Sequence, residues 1–277
     1  MLKSVLVYLV PLAITPVLAG LIRIFGGAER GARAAGVAVP MGFIVAWGIF
    51  LRPGWLPTDD FSRIGHIAFG AALVGLALDL LAASRLVSAM AAGVVILASA
   101  WASVNGGLFP HPPVSLYLLA SAGALAVLAF LIVARLDAAR ARGLTTLVLI
   151  AAAALGIAVM AKIVGEPRLA LAGAMLAVAL IAYAALQGVV SLPVGASVSL
   201  GAGSALLALA WALAHGSSDA RPALILVPLI FFAEGTARRV PLPAARISAI
   251  LYPLVLAIVA ALPLALAALV AYVMTQS

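Results

Sequence analysis

Very few side chains in this sequence could carry chemistry, and Asp79 comes first among them. It stands in Ala77-Leu78-Asp79-Leu80-Leu81, inside an apolar run and close to its end. An ionisable residue within a membrane span is costly and marks a functional position by default. Asp79 is therefore the candidate intramembrane proton or ion site. The plainer alternative is a carboxylate near the membrane surface, wetted or paired. Arg85 is off the helical face of Asp79, so any partner must come from another segment.

A second set is Asp59, Asp60, His66, His111, His215 and Asp219. With ten helices all six fall on one side of the membrane, together with Glu166, and they form a candidate outer-face polar cluster. Histidines with nearby carboxylates are ligand types for zinc or another divalent ion. No two of these histidines have a local spacing such as His-x-x-x-His, and residues in separate loops meet only if the fold brings them together. No metal site is assigned on sequence. Glu234 and Arg238 lie four residues apart on one helical face, the spacing of a surface ion pair. Lys162 ends an apolar run, where its ammonium can reach the interface.

Other chemistries are excluded or unsupported. The chain has no cysteine, so disulfides, thiolate metal sites and cysteine nucleophiles are absent. Histidine is missing from the interior of the apolar runs, which argues against a bis-His haem. No catalytic or cofactor motif is present, and no cofactor is expected. The net charge of +8 would suggest nucleic acid in a soluble protein. Here the basic residues sit in short loops between apolar runs and no nucleic-acid-binding motif accompanies them, so no nucleic-acid partner is expected.

These residues are held by apolar segments. Of 277 residues, 66% are hydrophobic and 9% charged, with a mean hydropathy of +1.30. A soluble domain carries about 25% charged residues. Crossing the hydrocarbon core takes about 20 apolar residues. Runs near that length fall at 4–23, 34–51, 64–83, 86–104, 116–134, 144–162, 169–188, 193–214, 222–234 and 247–274. The fold class is an all-α integral membrane protein, a polytopic bundle of about ten transmembrane helices with short loops. Eight or nine helices are the alternative counts, because the ninth run is short and the loop from Gln187 to Pro193 carries no charge. Residues 1–277 read as a single transmembrane domain, and the first run reads as an uncleaved helix rather than a signal peptide.

Basic residues in short loops face the cytoplasm. With ten helices, one side holds Arg23, Arg30, Arg33, Arg85, Arg135, Arg140, Arg142, Arg238, Arg239 and Arg246. The other holds Lys3, Arg52, Arg63, Lys162, Arg168 and Arg221 with both termini. This places both termini outside the cytoplasm. Trp47, Trp55, Trp101 and Tyr117 are expected at headgroup depth. Pro11, Pro16, Pro40, Pro228, Pro253 and Pro263 lie inside apolar runs and are expected to kink their helices. Small residues at 151–154, 173–177 and 195–203 permit close helix contact.

Three functions are compatible with this reading. The first is a small permease, better suited to a neutral or apolar solute because intramembrane charge is scarce. The second is a non-catalytic subunit or assembly factor of a larger membrane complex. The third is an outer-face membrane enzyme acting on a lipid, which would need the polar cluster to converge. Partners are the lipid bilayer and either other integral membrane subunits, under the second reading, or a second copy in a self-dimer, under the first. The bias to arginine and alanine points to a bacterial inner membrane.

Overall fold

The computed structural model describes residues 2–54, 56–105, 116–139, 143–190, 192–240 and 245–276. Its helices follow the ten apolar runs in order. They are α1 (Leu2–Gly26), α2 (Glu29–Leu51), α3 (Asp60–Leu81), α4 (Arg85–Asn105), α5 (Leu116–Ala139), α6 (Gly143–Ile163), α7 (Pro167–Val189), α8 (Ala196–Gly216), α9 (Ala220–Ala237) and α10 (Ala245–Gln276). Among the described residues nine helical spans are long and apolar enough to cross a membrane; α5 contributes a shorter apolar stretch, Leu119–Val133. The protein is an all-α, multi-pass bundle. His111 lies outside the described residues, as do Trp55 and the side chain of Tyr117.

Burial orders the bundle around α8. In the apolar window of α8, 83% of residues are buried, against 22% for α1 and for the end helix α10. The composition of α8 explains this. Its first half reads Ala196-Ser-Val-Ser-Leu-Gly-Ala-Gly-Ser204, small enough for neighbouring backbones to approach. Gly75 of α3 lies so close that an added Cβ would stand 2.5 Å from Ser197 Cα and 2.8 Å from the Ala196 carbonyl carbon. Gly201 of α8 leaves room for Pro40 of α2, whose Cγ would be 2.8 Å from an added Cβ.

The expected proline effects divide between helices. α1 and α10 stay α-helical through Pro11, Pro16, Pro253 and Pro263. Regular geometry breaks instead in α2 and α9. In α2 a 3-10 turn at Ala35–Val37 precedes Pro40. In α9 an α-helical start, Ala220–Leu224, gives way to a 3-10 segment, Val227–Phe232, before one last α-turn, Ala233–Ala237. Pro228 has no N–H for the Leu224 carbonyl, so the first α segment stops there. A 3-10 helix rises about 2.0 Å per residue instead of 1.5 Å, so this stretch lengthens the short ninth run by about 3 Å.

Two loops show how tight connections are closed. After α3, Ala82 takes a left-handed conformation (φ 47°) and its N–H bonds the Leu78 carbonyl, a helix end usually made by glycine. The uncharged link from α7 to α8 is held by side chains of α7. Gln187 Nε2 donates to the Leu192 carbonyl at 2.6 Å, and the Tyr183 hydroxyl to the Pro193 carbonyl at 3.4 Å. Trp47 is buried in the bundle: its ring fills the space that Gly65 leaves and stands beside Phe61 (ring centroids 6.0 Å).

The closeness of α3 and α8 predicts opposite outcomes for two alanine substitutions on α3. Gly75→Ala meets backbone and should lose about 1–3 kcal/mol of stability. Gly70→Ala meets nothing within 4 Å and should be neutral or stabilising by up to about 1 kcal/mol. Melting temperatures of the two variants in the same detergent test this; equal losses would contradict the close approach.

Candidate functional sites

Asp79 is buried, and its partner is a helix end. Oδ1 accepts the Ala196 N–H at 2.7 Å. Oδ2 accepts the Ser197 N–H at 2.9 Å and the Ser197 hydroxyl at 2.6 Å. Gly195, at the N-cap position of α8, has no side chain to cap with, and an added Cβ there would collide with the Asp79 carboxylate. The cap is thus supplied in trans. The carboxylate satisfies two of the donors that every helix leaves open at its start, where the helix dipole favours negative charge. These three hydrogen bonds give the buried charge a structural role.

The outer-face residues assemble in part. Asp59 caps α3 through a reciprocal pair with Ser62: its carboxylate accepts the Ser62 N–H at 2.9 Å, and its own N–H donates to the Ser62 hydroxyl at 3.2 Å. Hydrogen bonding by Ser62 holds the Asp59 carboxyl below its usual range, against partial burial, which acts the other way. Asp60 is bridged to Arg63 at 2.7 Å and to Nδ1 of His215 at 2.9 Å, which ties the start of α3 to the end of α8. Glu166 and Arg168, at the start of α7, complete a polar basin of about 270 Å³ with these residues. The Arg168 guanidinium sits 4.3 Å from the Phe61 ring centroid and donates to the Leu51 carbonyl at 3.3 Å.

Two members of the expected cluster stand apart. His66 turns its Nδ1 to the Ser62 carbonyl at 2.8 Å and is exposed. Asp219 accepts the Ser218 hydroxyl at 3.0 Å. Neither lines the basin. Among the described residues no group of three His, Asp or Glu side chains could hold a metal ion. The surface ion pair is formed: Arg238 Nη2 lies 2.5 Å from Glu234 Oε1.

A further site was not anticipated from sequence. An apolar cleft of about 70 Å³ lies at mid-length of α4, α5, α6, α8 and α9. Ile96, Leu128, Ile157, Gly203, Leu207 and Pro228 represent its walls. An added Cβ on Gly203 would have nothing within 4 Å, so this glycine opens onto empty space. Pro228 puts the break of α9 in the cleft wall. Nothing in the local sequence marks these positions, because aliphatic residues facing a cleft and aliphatic residues facing lipid read alike. Arg168 was likewise illegible, since its neighbours in the basin come from α3 and α8.

The cleft and the basin use opposite faces of α8. Gly203, Leu207 and Ala210 face the cleft, whereas Ala212, His215 and Gly216 face the basin. At 100° per residue these two sets point about half a turn apart.

Removing the in-trans cap should be costly. Asp79→Ala is expected to lose about 2–4 kcal/mol, since buried N–H groups lose charged acceptors. Gly195→Ala leaves the carboxylate in place but displaces it, with an expected loss of about 1–3 kcal/mol. The double variant should lose less than the sum, because both changes break one interaction. Strict additivity in thermal unfolding would separate Gly195 from the cap.

No protein-family model matches this chain, and no curated protein matches it in sequence.

Proposed function

We propose that this protein is a small permease for a neutral or apolar solute, with the mid-membrane cleft as its binding site. The observation that carries the reading is the coincidence of the cleft with the interrupted helix α9. Carriers place their sites near the bilayer midplane, beside helices that lack regular geometry. α9 lines the cleft through Leu224, Val227, Pro228 and Phe231, which span its change from α to 3-10 geometry. α8, capped at one end and bridged to α3 at the other, supplies a fixed wall against which α5 and α9 can move. The scarcity of charge on the walls suits a solute without charge.

The absence of cysteine makes this testable with two introduced labels. Val127 on α5 and Ile225 in the break of α9 are both exposed. Nitroxides on Val127→Cys and Ile225→Cys should give two distance populations by pulsed electron spin resonance in liposomes. Gly203→Leu, which projects into the cleft, should shift their weights. A single narrow distribution unaffected by Gly203→Leu would overturn the permease reading and favour a static subunit of a membrane complex.

The same reading places the chain in a bacterial cytoplasmic membrane with both termini outside the cytoplasm. The support is the ten-to-six division of basic residues between the two sets of loops. Alkaline phosphatase fused to the C-terminus should be active and a green fluorescent protein fusion dark. The reverse pattern would invert the orientation.

A further inference from the structure

We infer that the cleft takes the hydrocarbon chain of a bilayer lipid, entering sideways between α5 and the 3-10 segment of α9. This rests on the proposed permease reading and narrows its substrate class. Among the described residues the walls offer no ionisable side chain and two hydroxyls, those of Ser199 and Ser204. Both are engaged within the bundle. Ser199 Oγ lies 3.2 Å from the Ala196 carbonyl, to which it donates, and Ser204 Oγ accepts from Ser99 Oγ at 3.2 Å. A polar solute moved there would give up its water for walls that return at most two hydroxyl hydrogen bonds, at a cost of several kcal/mol. A hydrocarbon chain has no such loss.

The route follows from the same geometry. α8 stands between the cleft and the polar basin, so the charged end of the molecule gives no path into the cleft. The outer faces of both helices, away from the cleft lining, carry exposed apolar side chains: Val127, Phe130 and Leu131 on α5, and Leu229 and Phe232 on α9. Helix α5 meets α6 and α9 only sparsely compared with the packing of α3 on α8. The gap between α5 and α9 therefore faces the phase from which a lipid chain would come.

The test uses 1-palmitoyl-2-oleoyl phosphatidylcholine as the probe, added in graded amounts to delipidated protein and read by native mass spectrometry. One lipid per chain should bind saturably before any others. Gly203→Leu should bind it at least tenfold more weakly, whereas Gly70→Leu, on α3 and away from the cleft, should bind as the unaltered protein does. Equal binding by Gly203→Leu, or no saturable first lipid, would overturn the inference. The spin-label distances decide separately on transport. A protein with one distance population that still holds one lipid keeps this inference and loses the permease reading. A protein with two populations that holds none does the reverse.

Discussion

The architecture depends on a carboxylate placed where a helix begins. α8 is the most buried of the apolar spans, and its first N–H groups would be orphaned inside the bundle without a partner. Water cannot reach such groups in a membrane, and an unmet donor there costs several kcal/mol. Asp79 answers this from another helix, with two backbone donors and one hydroxyl converging on its two oxygens. The arrangement solves two problems at once. The charge of Asp79 is tolerable because it meets the positive end of α8, and the end of α8 is tolerable because it meets a charge.

That interaction sets distances for everything around it. A carboxylate reaches backbone N–H groups at under 3 Å only if the two helices nearly touch, and Gly75 and Gly195 are the residues that let them. The same narrowness admits Pro40 against Gly201, which brings α2 onto α8. At the far end of α8, the Asp60–His215 bridge joins the same two helices again. Helices α3 and α8 are thus fastened at both ends, whereas α9 is tied to the end of α8 by Arg221, whose Nε donates to the Ala214 carbonyl at 2.8 Å.

Much of the fold was legible because its signals are local. Ten apolar runs became ten helices in the same order, since length and hydropathy are properties of the run itself. Glu234 and Arg238 pair as their spacing implies, because helical geometry alone brings them together. What failed to show depended on distant chain. Asp79 stood out as an anomaly, yet its partners lie 117 and 118 residues away and are mostly backbone N–H groups, which have no residue identity to read. Trp47 packs into the space at Gly65 and beside Phe61, contacts that no local pattern announces. The prolines predicted kinks evenly, but α1 and α10 stay α-helical through theirs, while 3-10 geometry appears beside Pro40 and Pro228.

The opposite placement of cleft and basin on α8 constrains how the two could cooperate. A ligand in one cannot touch the other through a helix about 10 Å across, so any coupling must travel through α8 itself or around it. α8 is poorly suited to move, being capped by Asp79 and bridged by His215. α9 is better suited, because its short 3-10 segment holds weaker hydrogen-bond geometry than the helices around it. Motion at the cleft would then leave the polar basin as it is. The basin, built from the starts of α3 and α7 and the end of α8, serves as a clasp of the fixed half of the bundle, on the face of α8 opposite the cleft.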